Sequence, residues 1–407
     1  MNVAGWRPHL GGLPRAFWML WVGTLVNRLG GFVVPFLSLY LTRSRGMSIG
    51  DTGLIVSLYG LGLIGAGPLG GWVADRWGRK PAILIGLGAG GTCAIALGCS
   101  KRLEFIALFT FLLALLGEMY RPGVQAAVAD LVPSKDRPRA YGLIYWAINL
   151  GFAIAVSAAG FFVERGYGVL FYIDGITSIA YAVLVLVAVP ETRPPGVREA
   201  TPGERSSLVA PLMDPVFGRF LLGTLFLVLV FWQHQVALPV DLTAHGVSPA
   251  TYGRLIGING FLIVVLQPFV AEFLGRRDRS NVLAIACLLV GLGFGMNALV
   301  TTTPLFGVAI AVWTLGEIAY FPLANALVAD LAPTAQRGRY QGLFSMVGGV
   351  AGVVAPVTGG VLLQHAGRIA VWGVCLGLGI LAAGTQLGLG RRLRARFKPA
   401  AHIDTEP

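Results

Sequence analysis

Apolar residues in this chain come in long, nearly continuous runs, not at the 3.6- or 2-residue spacing of helices and strands that bury one face. Bounded by charges and by Gly and Pro clusters, twelve such runs stand near residues 16–42, 51–74, 81–99, 104–131, 140–163, 168–189, 216–240, 250–274, 281–301, 305–331, 340–363 and 368–390. An α-helix needs about 20 apolar residues to cross a bilayer. The pattern therefore predicts an all-α integral membrane protein with twelve transmembrane helices and short connections. Basic residues precede the first run, as in a signal peptide, but that run continues through Leu41 without a cleavage-like site and reads as a retained first span.

The longest connection, residues 190–215, is rich in Pro, Gly and charge and falls at mid-chain, as a linker between halves would. The halves resemble each other: GEMYRPGVQAAVADLVPSKDRPRAYGL beginning at Gly117 recurs as GEIAYFPLANALVADLAPTAQRGRYQGL beginning at Gly316. Pro122/Pro322, Asp130/Asp330, Pro133/Pro333, Arg137/Arg337, Arg139/Arg339 and Gly142/Gly342 are each 200 residues apart. A repeat of this length predicts two pseudo-symmetric six-helix bundles. The divisions expected are 1–189 for the first bundle, 190–215 for the linker, 216–390 for the second bundle and 391–407 for a tail. Repeats of this kind are a known transporter layout, with the substrate near the midplane at their interface.

Composition agrees with the pattern. Hydrophobic residues make up 55% of the 407 and charged residues only 12%, against about 25% charged in a soluble domain, so a separate soluble catalytic domain has no room. The net charge of +12 would suggest a nucleic-acid partner in a soluble protein, but here it sorts by loop. Tails and connections on the side of the N-terminus, counted with the run ends beside them, hold 22 Lys and Arg and the connections on the opposite side 7. The expectation is thus no nucleic acid, a cell (plasma or inner) membrane location, and both termini in the cytoplasm. Cys93, Cys99, Cys287 and Cys375 lie in or beside apolar runs without metal-ligand spacing, so neither a disulfide framework nor a metal site is indicated. No HExxH or P-loop is present, which argues against an enzyme and against a cofactor.

Between the second and third runs lies GGWVADRWGRKP, residues 70–81. It resembles the loop signature G-x-L-a-D-r-x-G-r-k of the major facilitator superfamily, with Gly71, Asp75, Arg76, Gly78, Arg79 and Lys80 matching and Val73 in place of the Leu. With the repeat and the central linker, the resemblance covers almost the whole chain. It implies alternating access by two bundles around a central cavity, and it groups the chain with the twelve-span drug:proton antiporters. Gly71, Asp75, Arg76, Gly78 and Arg79, with Asp130 and Arg137, are the expected cytoplasmic gate. Asp75 at a helix end is suited to pair with Arg and to cap a neighbouring helix, latching the halves. The corresponding loop of the second half keeps its arginines but lacks the Asp-x-x-Gly order, so the latch should be asymmetric.

In the fourth run, Glu118, Arg121 and Gln125 form one polar stripe at helical spacing. The segment RPGVQAA resembles the family's fourth-helix signature R-x-x-x-G, although Gly123 follows the Arg by two residues and not four. Charges at mid-bilayer cost about 2.5–3.5 kcal/mol or more, so this pair faces a partner or water, or holds the bundle together. Asn27 and Arg28 in the first run, Trp232, His234 and Gln235 in the seventh, and Glu317 and Tyr320 in the tenth fall on the helices that line the cavity in this family. The expected division is proton coupling by Glu118, Arg121, Glu317 and Arg28, and a substrate cavity of Trp232, His234, Gln235, Tyr320, Gln125 and Asn27. Glu118 leads, because a Glu one turn from an Arg changes its proton affinity as the pair opens to water or closes. His234 reads equally as a hydrogen-bonded structural residue, and Asp174 as a structural one. The antiporter signature G-P-x-x-G-G is incomplete in the fifth run, where Ala158 and Gly160 stand without the Pro; the eleventh run has Ala355, Pro356, Gly359 and Gly360.

The function expected is secondary transport, by proton-coupled efflux of small apolar or cationic molecules. An importer or carrier of amino acids, peptides or sugars on the same fold is the alternative, because fold fixes neither substrate nor direction. The partners expected are a small-molecule substrate, protons and membrane lipid, with the chain a monomer.

Overall fold

The computed structural model describes residues 12–31, 33–163, 166–195, 208–235, 237–275 and 277–396. The middle of the linker and the outer parts of both tails lie outside these residues. Every regular element described is helical. The first half contains α1 (Arg15–Leu29), α2 (Val33–Leu39), α3 (Ile49–Arg76), α4 (Arg79–Cys99), α5 (Leu103–Gly117), α6 (Tyr120–Leu131), α7 (Arg137–Val163) and α8 (Tyr167–Ala188). The second contains α9 (Pro215–Phe231), α10 (Ala237–Ala244), α11 (Pro249–Gly275), α12 (Arg279–Met296) and α13 (Thr303–Leu331). It ends in a helical stretch, Arg337–Arg396, divided at Gly367 by φ 77° into α14 (337–366) and α15 (368–396). Among the described residues, nine helical stretches are long and apolar enough to cross a bilayer. Their outer faces expose apolar side chains such as Val187, 81% accessible, and Phe261, 66%, the expected surface of a protein whose solvent is lipid.

Three of the apolar runs expected to form single helices are interrupted. The first breaks at Gly30 and Gly31 and resumes as α2, which ends in a π-turn at Tyr40–Ser44. The fourth breaks at Glu118 and Met119, where Pro122 has no N–H to offer the Glu118 carbonyl. The seventh tightens into a 3₁₀ turn at Trp232–Gln235 before α10. The tenth carries Pro322 yet stays whole as α13, because the Ile318 carbonyl orphaned by that proline accepts from Gln267 Nε2 (3.3 Å). Hydropathy does not register such breaks, since broken and whole spans are equally apolar.

The two halves meet closely where α3 crosses α14. A Cβ on Gly67 would lie 2.2 Å from the Gly342 carbonyl oxygen and one on Gly71 2.3 Å from that of Gly338, so this crossing needs glycine on both helices. At the same end, Asp214 caps α9, accepting from the N–H groups of Val216 (3.0 Å) and Phe217 (3.3 Å), and takes Arg396 (2.7 Å) and the Tyr340 hydroxyl (3.2 Å) on its other oxygen. Partial burial pushes its pKa up, but Arg396 and the cap bonds outweigh this and hold it below the usual carboxylate value. The stabilisation is therefore present above about pH 4, the unfolded carboxylate value, and is lost as pH falls through the lower folded one. Asp214→Asn keeps a capping acceptor but loses the charge that faces Arg396 and the helix N-terminus, an expected cost of about 0.5–1 kcal/mol, read as a lower melting temperature at pH 7 that converges on wild type in acid.

Candidate functional site

Charged side chains concentrate at the end of the molecule where α3, α6 and α13 terminate. Asp75, on the last turn of α3, accepts from the backbone N–H groups of Gly338 (2.7 Å) and Arg339 (2.9 Å) at the start of α14, from Arg339 Nε (3.2 Å) and from Arg79 Nη1 (3.2 Å). An anion thus sits on a helix N-terminus of the opposite half. Beside it lie two reciprocal clusters. Asp130 takes Arg79 of its own half (2.8 Å) and Arg337 of the other; Asp330 takes Arg279 of its own half and Arg137 of the other. Each Asp binds one Arg per half, and each member stands 200 residues from its counterpart.

Two glycines of the loop have separate reasons to be there. Gly71 permits the close crossing of α3 and α14, and Gly78 adopts φ 114° to turn the chain into α4. Arg76 lies outside the clusters, 5.4 Å over the Trp72 ring. The second half has no counterpart of Asp75, because the residue 200 on is Gly275; Asp278 instead caps α12 through the Asn281 N–H (3.0 Å).

Glu317 lies midway along α13 and is 2% exposed. Its Oε1 accepts from the Tyr145 hydroxyl of α7, in the other half, and its Oε2 from Asn259 Nδ2 of α11 (2.6 Å); Asn259 also donates to Thr314 (3.0 Å). Both donors to the carboxylate are neutral. Its surroundings are aromatic: Tyr145 stacks on Phe321 (5.5 Å between centroids), which meets Phe231 edge-on (5.5 Å), which in turn meets Trp313 (5.8 Å). His234 lies 4.8 Å from the Phe231 ring, its Nδ1 on the Phe231 carbonyl (2.6 Å).

Glu118 has a different setting. It forms an ion pair with Arg121 three residues on, and the Arg121 side chain is 44% accessible. Arg28 donates to the Tyr120 hydroxyl (3.1 Å), which donates to Asn27 Oδ1 (3.1 Å), while Asn27 Nδ2 donates to Ser178 (2.9 Å). Asn27 is thereby committed inside the first bundle. Tyr320 is likewise a core residue of the second, fully buried with its hydroxyl at 2.8 Å from Thr224 Oγ1 and 3.4 Å from Gln386 Nε2, so both side chains are bonded within their own halves. Trp232 packs near Gly352, Gln235 is exposed, and Gln125 is half-buried. Asp174 accepts from the Val33 N–H (3.2 Å) at the start of α2.

Tyr145, Asn259 and Arg279 were missed from sequence. The first two sit in the fifth and eighth apolar runs, outside the four to which the cavity was assigned. Arg279 had a signal in its 200-residue offset from Arg79.

The sequence profile of the Major Facilitator Superfamily matches residues 20–356 and, in a second alignment, 220–404. A Na(+), Li(+), K(+)/H(+) antiporter of Planococcus maritimus is 25% identical over 361 residues, covering 80% of this chain and 84% of that protein. Multidrug resistance protein MdtH of Aeromonas salmonicida (strain A449) is 26% identical over 354 residues, covering 86% and 88%. Among solved structures, a bacterial homologue of the iron transporter ferroportin in an outward-facing state shares the fold, with TM-score 0.78, 18% identity and coverage of 93% of this chain and all of that one.

Proposed function

Because this chain belongs to the Major Facilitator Superfamily, and is therefore an integral membrane transporter and not an enzyme, we propose that it exports small apolar or cationic molecules in exchange for protons by alternating access. Its twelve apolar runs make two six-helix bundles joined by the 190–215 linker, and the last helix, α15, runs to Arg396, into the segment 391–407 expected as a tail. The chain works as a monomer in the cell membrane. The end that carries Asp75, Asp130 and Asp330 is the cytoplasmic one, together with both termini, on the strength of the 22-to-7 division of Lys and Arg.

The observation that carries the reading is the hydrogen bond from Tyr145 to Glu317, which crosses between the halves at a carboxylate with no cation on it. When the halves rock apart there, that bond is lost and water reaches the carboxylate, so its protonation and the conformation change together. Glu317 thus takes the leading coupling role that the sequence favoured for Glu118, whose charge already has Arg121 as its partner. The aromatic side chains around Glu317 suit an apolar substrate, or a cation held over ring faces. A cation/H(+) antiporter and a drug-resistance protein among the relatives support this direction of coupling.

Transport assays in right-side-out and inverted vesicles under an imposed pH gradient test the reading. Substrate is expected to move against its gradient only when protons flow the other way, and uptake driven in the proton's own direction would replace export with symport. For orientation, a cysteine at exposed Lys135 is expected to react with an impermeant thiol reagent only from the cytoplasm, and one at Arg102 only from outside. The reverse pattern would falsify the assignment of faces.

A further inference from the structure

Helix α11 carries Pro268 in its interior, so the Val264 carbonyl one turn earlier loses the N–H that would normally bond it. The indole Nε1 of Trp146 donates to that carbonyl instead (2.9 Å). Trp146 belongs to α7, in the other half. Its ring is fixed from there, stacked on Trp21 of α1 (5.6 Å between centroids), whose own indole donates to the Leu143 carbonyl of α7 (2.9 Å). Pro322 of α13 is repaired differently, because Gln267, next to Pro268, supplies its N–H from within the same half (3.3 Å). A bond inside one half persists when the halves rock, whereas a bond across them is made and broken in every cycle.

Helix α11 packs chiefly on α13 of its own half and on α7 of the other, and it is the least buried of the nine apolar helical stretches. A helix that lacks one backbone bond at a proline bends there, and the donor that replaces this bond in α11 comes from the half that moves. The part of α11 before the proline carries Asn259, which donates to Glu317 and to Thr314 of α13. The pseudo-symmetric helix is built otherwise. Pro68 of α3 stands 200 residues before Pro268, but the residue 200 on from Trp146 is Met346, whose thioether has no hydrogen to donate. There the glycine crossing on α14 braces α3.

We infer that Trp146 is a positioning residue for alternating access: it holds α11 straight across Pro268 while the halves are closed at the end carrying Asp75, and lets it bend when they part there. Bending moves Asn259 relative to α13, so departure of the first half reaches Glu317 through α11 as well as through Tyr145. This role rests on alternating access, but not on which ion is coupled or which way substrate moves.

The test uses the full chain, with exposed Cys99 replaced by Ser, in nanodiscs without substrate or pH gradient. Spin labels at exposed Lys135 and Arg392, one on each half at the closed end, report the separation of the halves by double electron–electron resonance. Trp146→Phe keeps a ring against Trp21 but has no N–H, and the long-distance population is expected to rise about fivefold, the equilibrium shift of one ordinary hydrogen bond. Pro268→Ala returns an N–H to the Val264 carbonyl from within α11. By itself it should lower the long-distance population, since α11 then resists bending unaided, and in its background Trp146→Phe should change nothing. An equal rise in both backgrounds would make Trp146 a packing residue and overturn the assignment, as would no rise in either or a rise in Pro268→Ala alone. These populations are read without transport, so a result of symport in the vesicle assays would leave them standing.

Discussion

Glu317→Gln is expected to abolish proton-driven transport while leaving substrate binding within a few-fold of wild type. The amide keeps an acceptor for the Tyr145 hydroxyl, and only its –NH₂ end meets the Asn259 donor unfavourably, a loss of about 1 kcal/mol by the usual value of one hydrogen bond. The variant should therefore fold and bind. What it cannot do is take up or release a proton. An ionised carboxylate at mid-membrane costs at least about 2.5 kcal/mol, and Glu317 has neutral hydrogen-bond donors on both oxygens and no cation bound to them. On the proposed mechanism its charge is sustained only when the halves separate and water enters, which would tie each proton to one conformational change. Glu118→Gln, by contrast, removes the partner of a half-exposed arginine and should slow transport without ending its pH dependence. Accumulation against a gradient with an unchanged pH profile in Glu317→Gln, and loss of both in Glu118→Gln, would reverse these roles.

Asp75→Asn is expected to produce the second largest effect, on the balance between conformations and not on the substrate site. The carboxylate gathers two backbone N–H groups of α14 and the guanidinium groups of Arg339 and Arg79. Asn can accept on one oxygen only and points its own donors at the rest. Breaking a buried charged pair by removing one partner costs about 3–5 kcal/mol, and 1.4 kcal/mol is tenfold in an equilibrium constant, so the closed form of this face should lose at least about 100-fold in population relative to the open one. Fewer cycles are then completed per unit time, although each substrate molecule meets the same pocket. The measurement is transport rate against ligand affinity, with thiol accessibility of a cysteine introduced at Ala74, which is fully buried beneath the closed face. Wild-type rates together with wild-type accessibility would mean that Asp130 and Asp330 close this face without Asp75.

The elements of the closed face were legible for a definite reason. Charged residues in short loops between long apolar runs have few alternatives, and the recurrence of Asp130 with Arg137 as Asp330 with Arg337 marked a paired arrangement. The identity of the partners was not legible: Arg137 reaches Asp330 and Arg337 reaches Asp130, across the halves and not within them. Spacing along a chain says which residues share a helix face, but not which helix of the other half lies opposite.

The same boundary runs through the rest of the molecule. Length and density of the apolar runs, the repeat at an offset of 200 and the GGWVADRWGRKP loop were enough for an all-helical membrane protein of the major facilitator type, because lipid leaves a backbone almost no other way to satisfy its hydrogen bonds. Which spans break, at Gly30, Glu118 and Trp232 but not at Pro322, was decided by local packing, and at Pro322 the freed Ile318 carbonyl finds Gln267. The contrast between Glu118 and Glu317 was decided in the same way. As letters both are a Glu after a Gly in an apolar run; packing set one against an arginine of its own helix and the other between a tyrosine of the opposite half and an asparagine of its own. Charge and hydropathy are properties of the residue, whereas the partner that neutralises or isolates a buried charge is a property of the packing.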